Sequence, residues 1–325
     1  MKLDILIPYF NEPLNVLNRL LISVAQQQNV DFRNITIHIY NDGGTPIPIS
    51  AFEGRPFTTV YHEGEHRGVS ATRNRLMDLS DGDYIMCCDT DDMFTDMFAL
   101  SYIFKAMQKG FDVFNAAFYE EGRNRQGDKM YIVRKNDTYF VHGKVFRRQY
   151  LVENSIRWND EFTYSGDSYF LGLALRTTKK HAYCSTPFYI WKWNQNSICR
   201  REKNHYEKEF DMKLRVTSAL IDELMRRGLT EDARYFALFV VYDAYYIMQA
   251  DGWEAMPESD RVERRKQFRE FYRKYEKIIK EANKRMRLSV IKTAKNNQFL
   301  RGNIMEKITY ANWLNAVLED GREDT

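Results

Sequence analysis

Three aspartates, Asp89, Asp91 and Asp92, follow directly after an apolar stretch of the chain. Residues 84–88 are apolar or favour β-structure, which predicts a short strand buried on both faces. Ionised carboxylates beside a core strand need a partner, because removing them from water is costly. Divalent cations such as Mg²⁺ or Mn²⁺ take oxygen ligands and commonly bind carboxylates together with substrate phosphates. The stretch therefore indicates a metal–diphosphate site, with an acidic turn after a strand as the alternative.

Other residues able to bind a ligand follow earlier predicted strands. The first strand ends at Pro8, which cannot donate to a ladder, and Phe10 and Asn11 come next. The second strand ends in a polar turn that contains Asp42 and two glycines. Arg73 lies near the start of a helix predicted after the third strand. Since parallel strands end at one edge of a sheet, these residues are expected around one crevice.

Each of these residues has a chemical role that suits a nucleotide. Asp42 can accept hydrogen bonds from a base or ribose, and Phe10 or Tyr9 can stack on a base. Arg73 can neutralise a phosphate with its planar guanidinium. Taken singly, each also has a simpler interpretation: Asp42 as a turn residue, Phe10 as a core residue and Arg73 as an exposed helix residue.

The order of the predicted elements indicates an α/β fold. The first 90 residues alternate as strand, helix, strand, strand, helix and strand, which is typical of a mostly parallel sheet flanked by helices. Further strands are predicted over residues 111–118, 129–133 and 183–193.

Asp167 precedes an apolar helix predicted over residues 169–175. An acid at this position is commonly a helix N-cap. Alternatively, Asp167 is a general base at the mouth of the site, a role that needs a carboxylate within reach of a hydroxyl. A later loop over residues 194–201, which holds Ser197, Arg200 and Arg201, could close over phosphates.

Composition predicts a soluble globular chain. Its 325 residues suggest about two domains, and 44% of them are hydrophobic. No apolar run reaches the ~18 residues of a membrane span, and no signal peptide is predicted at the N-terminus. The four cysteines lack metal-ligand spacing, so reduced thiols in the cytoplasm are expected and zinc is not.

The sequence pattern of residues 205–325 predicts helices. Domains are predicted at 1–204 and 205–325, the latter with a basic amphipathic helix over 261–287. Residues 261–295 hold 14 basic against 4 acidic side chains, although the whole chain carries a net charge of only +3. Such a block can be a solvated or intersubunit face, an anionic membrane contact or a nucleic-acid contact.

Three N-terminal stretches resemble motifs of family 2 glycosyltransferases, which have the GT-A fold. Ile5 to Asn11 resembles the first strand and Pro-x-x-Asn loop of that family. Asn41 to Gly44 resembles its nucleotide-binding Asp-Asp-Gly-Ser turn. Gly68 to Asn74 resembles its Gly-x-x-x-Ala-Arg-Asn helix start.

Three later stretches resemble the same family in the same order. Asp89 to Asp92 resembles the metal-binding Asp-x-Asp-Asp. Gly143 to Arg148 resembles a Gly-Lys-Leu-Tyr/Phe-Arg-Arg stretch, and Tyr164 to Asp167 resembles the motif whose Asp serves as base. The resemblance covers residues 2–200, and an ordered set of six motifs is far more specific than any one of them.

The resemblance implies an inverting glycosyltransferase (EC 2.4) that uses a nucleoside-diphosphate sugar, usually a UDP-sugar, with Mn²⁺ or Mg²⁺. It implies that Asp167 deprotonates the acceptor and that Asp91, together with Asp89, binds the metal. The residues implied to bind the donor are Pro8, Phe10, Asn11, Asp42, Arg73, Asp89, Thr90 and Arg200. Two departures from the family pattern are Gly166 in place of a glutamate, and Lys192 and Trp193 where a His or Arg often assists the metal or diphosphate.

The acceptor is left open between a nucleic-acid base hydroxyl and a glycan or lipid-linked precursor. A nucleotide-sugar-binding or nucleotidyltransferase-like protein without glycosyl transfer is the alternative function. It would use the same strand-end acids but would not need Asp167 as a base.

Overall fold

The computed structural model describes residues 1–124, 126–162, 165–194, 205–295 and 308–319. The chain divides into two units, Met1–Arg201 and Glu202–Thr325. The domain boundary predicted after residue 204 lies outside the described residues, and so does Arg200.

A seven-stranded sheet forms the centre of the N-terminal unit. In spatial order its strands are β10 (His181–Cys184), β6 (Val113–Ala116), β9 (Lys144–Arg147), β4 (Tyr84–Cys87), β1 (Leu3–Tyr9), β2 (Ile35–Asp42) and β3 (Thr58–Gly64). Neighbouring strands run parallel, except that β9 is antiparallel to both β4 and β6. The predicted α/β fold with a mostly parallel sheet is confirmed.

Helices accompany this sheet along the chain. They are α1 (Leu14–Ala25), α2 (Val69–Leu79), α3 (Ala99–Met107), α4 (Arg148–Glu153) and α5 (Gly166–Thr177). Helix α1 begins after Pro13, whose fixed φ suits a helix start, and its buried residues Leu17, Leu20, Leu21 and Val24 recur at helical spacing. Strand β1 is fully buried over Leu3, Ile5 and Leu6, as expected for a central parallel strand covered on both faces.

A second, four-stranded sheet contains β5 (Met93–Phe94), β11 (Tyr189–Trp191), β7 (Phe118–Arg123) and β8 (Lys129–Arg134) in that order. The prediction that residues 111–118 form one strand and residues 183–193 form another is therefore wrong. Each run divides between the two sheets, and Ala117, between β6 and β7, donates its N–H to Cys184 O at 2.8 Å. A continuous apolar run carries no signal for such a crossing.

The C-terminal unit is helical in its described residues. Its helices are α6 (His205–Arg226), α7 (Thr230–Met248), α8 (Asp251–Glu254), α9 (Glu258–Lys280), α10 (Lys284–Lys295) and α11 (Tyr310–Glu319). Helix α7 is buried along most of its length and packs against α6, α9, α10 and α11. None of the helices in the described ranges combines the length and the apolarity that a membrane crossing requires.

The prediction of one continuous basic helix over residues 261–287 is wrong, because the helix is interrupted between α9, which ends at Lys280, and α10, which begins at Lys284. Asn283 Oδ1 accepts the N–H of Met286 at 2.9 Å, which satisfies one of the free donors at the start of α10. Apolar spacing continues across this point, so periodicity alone did not reveal the break.

Candidate active site

The candidate site lies where the order of the parallel strands reverses. Strands β2 and β3 lie on one side of β1, and β4 lies on the other. In open α/β sheets, ligands bind outside the carboxyl ends of the strands at such a point. Thr90, just after β4, donates from Oγ1 to Pro8 O near the end of β1 at 2.8 Å. This bond joins the two strand ends beside the reversal.

Arg73, on α2, lies between two of the candidate carboxylates. It donates from Nη2 to Asp89 Oδ1 at 2.6 Å and from Nη1 to Asp167 Oδ1 at 2.7 Å. Its side chain is only 6% exposed, so water screens these ion pairs weakly. Burial alone would lower the pKa of Arg73, but the carboxylates of Asp167 and Asp89 outweigh burial and raise it. Arg73 is thus a permanent cation that joins Asp89, one of the acids after β4, to Asp167.

Asp167 is the second residue of α5, inside the first turn. The capping position belongs to Ser165, which has a φ of 57° and makes no side-chain capping bond. Besides Arg73, Asp167 Oδ1 accepts a hydrogen bond from Trp158 Nε1 at 3.1 Å, and Val141 N lies 3.4 Å from Oδ2. The interpretation of Asp167 as an N-cap is therefore wrong. These groups orient the carboxylate, and its side chain stays 17% exposed.

Asp92, the third acid after β4, is fully buried and bonded to its surroundings. Its Oδ2 accepts from the Tyr189 hydroxyl at 2.8 Å, and its Oδ1 accepts from Lys192 N at 2.9 Å. His142 Nδ1 lies 3.3 Å from Oδ2. Burial would lower the pKa of His142, but the adjacent Asp92 carboxylate outweighs burial and raises it. Asp92 therefore ties the loop after β4 to β11.

Within the described residues, the acids and histidines that converge closely enough to share a metal ion are Asp89, Asp92 and His142. Their ligand atoms lie within 4.8 Å of one another. Asp91, the metal ligand expected from the sequence, is outside this group. Since Asp92 and His142 are buried and interact with each other, Asp89 and Asp91 are the carboxylates of this stretch that an entering ion would meet.

The charges around Asp91 fit a divalent cation. Burial, together with the neighbouring Asp92 and Asp89 carboxylates, raises the pKa of Asp91 to about 6. Its Oδ2 accepts from Asn194 Nδ2 at 2.7 Å, which compensates only part of this effect. Burial, with a smaller contribution from Asp91 and Asp89, also raises the pKa of Glu12. A cation would relieve this excess of negative charge, and carboxylate oxygens suit Mg²⁺ or Mn²⁺.

Asp42 is the last residue of β2 and is buried. Its Oδ1 accepts from Arg67 N and its Oδ2 from Gly68 N, both at 2.9 Å, immediately before α2. His66 Nδ1 lies 2.8 Å from Oδ2. Asp42 thus orients the segment that leads into α2, a task that the sequence did not reveal.

Phe10 and Asn11 border the same segment. Phe10 is 44% exposed and its ring stacks on that of His66, with centroids 4.5 Å apart. The interpretation of Phe10 as a core residue is therefore wrong. Asn11 has a φ of 61°, and its Oδ1 accepts from Thr45 N at 2.7 Å. The two residues follow the carboxyl end of β1, at the edge of the sheet where a ligand crevice was predicted. The exposed ring of Phe10 is accessible to a ligand there.

Four residues of the site were missed by sequence reasoning: Glu12, His142, Trp158 and Asn194. Glu12 follows Asn11 directly, so its position after β1 was a usable signal. Trp158 and His142 lie far along the chain, and their contacts depend on the tertiary fold. Lys192, which stands where the family often has a His or Arg near the metal or diphosphate, pairs through Nζ with Glu121 Oε2 at 2.6 Å.

A family model described as "Glycosyl transferase family 2" matches residues 4–190, which is more than half of the chain. The chain belongs to glycosyl transferase family 2. This membership confirms the predicted family and the glycosyltransferase class, EC 2.4. The matched range contains the strand-end acids, Arg73 and Asp167.

A curated relative is the glycosyltransferase GlyA of Streptococcus pneumoniae serotype 4. It is 26% identical over 156 residues, which make up 47% of this chain. The aligned part spans only 21% of GlyA, about a fifth of its length.

Solved structures of S. aureus TarS share the fold. TarS 1-349 in complex with UDP covers 94% of this chain and 95% of its own, at 13% identity and a TM-score of 0.61. The same TarS segment with UDP-GlcNAc gives the same coverage, at 14% identity and a TM-score of 0.56. This likeness confirms the GT-A fold of the family 2 chain.

Proposed function

We propose that this chain is a metal-dependent, inverting glycosyltransferase that moves a sugar from a nucleoside-diphosphate sugar to an acceptor hydroxyl. The observation that carries the proposal is the pair of short contacts from Arg73 to Asp89 and Asp167. Through Arg73, the acids that follow β4 and the candidate base belong to one buried charged cluster. A site for a divalent cation alone would have no need of Asp167.

In this proposal the donor binds along the carboxyl ends of β1, β2 and β4. Phe10 stacks on the base, Asp42 accepts hydrogen bonds from base or ribose, and the diphosphate lies near Arg73. The remaining donor contacts come from Pro8, Asn11, Asp89, Thr90 and Arg200. Asp91 and Asp89, with Glu12 nearby, would hold Mn²⁺ or Mg²⁺, which when bound neutralises charge on the departing diphosphate.

Asp167 performs the proton transfer in this scheme. Its carboxylate accepts the proton of the acceptor hydroxyl, while the hydroxyl oxygen attacks the anomeric carbon of the donor. The new glycosidic bond forms as the bond from the anomeric carbon to the diphosphate oxygen breaks, so a single displacement inverts the configuration. Arg73 and Trp158 fix the direction of the carboxylate, which makes a productive approach more frequent.

A UDP-sugar is the donor that we favour, because TarS, with the same fold over 94% of this chain, has been solved with UDP and with UDP-GlcNAc. The acceptor is proposed to be a nucleic-acid base hydroxyl or a glycan or lipid-linked precursor, and the compartment to be the cytoplasm. Binding of a nucleotide sugar without transfer is the competing possibility. A protein of that kind would not need Asp167 as a base.

Nucleotide binding tests the donor and metal parts of the proposal. Thermal unfolding of the wild type is measured with a panel of nucleoside diphosphates, with and without Mn²⁺. A ligand at 100 times its Kd adds about 2.7 kcal/mol to the free energy of unfolding, which is a readily measured shift. We expect a shift with UDP that requires Mn²⁺ and that Asp91→Asn removes.

The matched control is Asp81→Asn, an exposed acid at the opposite end of β4. It removes the same charge and is expected to leave the UDP shift unchanged. Absence of a metal-dependent shift with every nucleoside diphosphate, or an unchanged shift in Asp91→Asn, would contradict the proposed site.

A further inference from the structure

Cations make up four of the six exposed residues of helix α10. The helix contains five basic residues and no acid. Lys284, Arg285 and Lys292 are exposed, and none of the three makes an ion pair with a described residue. Lys295 is exposed on the same side of the helix. This face is therefore a concentrated positive patch on the C-terminal unit.

Helix α9 is different, although it contributes most of the basic residues of the 261–295 block. Six of its nine cations are buried or paired with an acid: Arg261, Arg264, Arg265, Arg269, Lys274 and Lys280. Exposed acids also accompany its remaining cations, for example Glu270 between Lys266 and Arg273. Helix α9 thus carries nine cations against five acids, whereas α10 carries five cations and no acid.

The inner side of α10 fixes this face in position. Val290 and Ala294 are buried, and α10 packs closely on α7. The fifth cation, Arg287, points to the end of α9, where it donates to Ala282 O and Ile279 O, both at 3.0 Å. The outer cations are consequently held on a packed helix rather than on a loop.

Leu288 lies in the middle of the cationic face and is 59% exposed. It is four residues from Lys284 and four from Lys292, so the three side chains form one stripe along the helix. A nucleic-acid backbone would gain little from an apolar side chain at this place. A lipid surface gains from both features, because cations attract anionic head groups and a leucine can enter the acyl boundary.

We propose that the outer face of α10 (Lys284, Arg285, Leu288, Lys292 and Lys295) docks the protein on an anionic phospholipid surface. The contact is peripheral: the cations meet lipid phosphates, and Leu288 enters the boundary between head groups and acyl chains. It is independent of the proposed sugar transfer, because the residues concerned lie outside the candidate active site.

Vesicle co-sedimentation of the whole chain tests this proposal. We expect binding to vesicles of equal parts phosphatidylglycerol and phosphatidylcholine, and no binding to phosphatidylcholine alone. The triple variant Lys284→Gln/Arg285→Gln/Lys292→Gln should weaken binding about 100-fold, since each cation near an anionic surface contributes about fivefold. Binding of the wild type should weaken strongly at about 1 M salt, where the Debye length is about 3 Å.

A second variant tests the apolar part of the contact. Leu288→Ser should weaken binding about tenfold without changing the salt dependence. Its control is Ile49→Ser, an apolar residue of the N-terminal unit that is 76% exposed. The charge control removes three exposed cations of the N-terminal unit by Lys109→Gln/Lys179→Gln/Lys180→Gln. Neither control should alter vesicle binding.

All these positions are exposed, so each variant is expected to unfold at the temperature of the wild type, which is checked first. Equal vesicle binding by the wild type and the α10 triple variant would overturn the proposal. So would equal binding to neutral and anionic vesicles. Binding of a duplex oligonucleotide without binding of vesicles would overturn it in favour of a nucleic-acid contact.

Discussion

Replacement of Arg73 by methionine should be among the most destabilising single changes in the N-terminal unit. The guanidinium is buried and makes short contacts with both Asp89 and Asp167. Removing it leaves two carboxylates largely shielded from water without their cation. Loss of one partner of a buried ion pair costs about 3–5 kcal/mol, because the remaining charge is uncompensated. We expect a loss of this size in the free energy of unfolding of Arg73→Met at neutral pH.

The loss should depend on pH in a defined direction. In the wild type, burial would raise the pKa of Asp89, but Arg73 outweighs burial and lowers it. Asp89 therefore contributes stability above its unfolded pKa of about 3.9, and this is lost as the pH falls through the lower folded value. In Arg73→Met the partly buried carboxylate of Asp89 is expected to take up a proton above pH 4. The difference between the two proteins should therefore narrow from neutral pH towards pH 4.

Urea denaturation at several pH values measures this difference from the midpoint and the slope. The matched control is Arg157→Met, because Arg157 forms a two-bond ion pair with Asp78 at 2.7 and 2.8 Å on the surface. Both partners of that pair are more than 40% exposed, so its removal should cost about 1 kcal/mol or less. Equal losses in the two variants, or a loss in Arg73→Met that does not change with pH, would refute the reasoning.

Three further predictions concern individual side chains. Lys144 is fully buried, and burial lowers its pKa to about 8, below the usual value near 10.4. Between about pH 8 and about pH 10.4 the unfolded chain therefore binds more protons than the folded protein. Across this range the free energy of unfolding of the wild type should rise with pH relative to that of Lys144→Met, as measured by urea denaturation at several pH values. Phe10→Ala should weaken UDP binding about tenfold in calorimetry while the unfolding temperature stays constant, because its ring is half exposed on His66. Gly43→Ala should cost more stability than Gly54→Ala in thermal unfolding. Both glycines have positive φ, but only at Gly43 would a Cβ meet a backbone atom, His66 N at 2.6 Å.

The sheet and its site edge were predictable because their signals are local. Buried parallel strands are short, continuous apolar runs, and the polar residues after them lie at one edge. Phe10, Asp42 and Asp89 were accordingly expected at neighbouring strand ends, and they lie there in the structure. The division of residues 111–123 and 181–191 between two sheets was not predictable, since an apolar run is the same whichever sheet it joins.

The interactions inside the site depended on contacts that sequence spacing does not encode. Arg73 and Asp167 are 94 residues apart, and only the packing of α2 near α5 brings their charges together. The burial of Asp92 with His142 likewise follows from the fold. For the same reason, the sequence count of basic residues overstated the exposed, unpaired positive charge of α9, where six of the nine cations are buried or paired with an acid.

Turnover of the donor tests the central claim most directly. The rate of UDP release from a panel of UDP-sugars with Mn²⁺, with water as the acceptor of the sugar, is measured for the wild type and for Asp167→Asn, together with the Kd of UDP for each protein. We predict that Asp167→Asn lowers turnover of the accepted UDP-sugar by about 10²–10⁴-fold, the usual contribution of a general base, while the Kd of UDP changes little. Equal turnover in the two proteins, or a wild type that binds UDP tightly but turns over none of the sugars, would contradict the account.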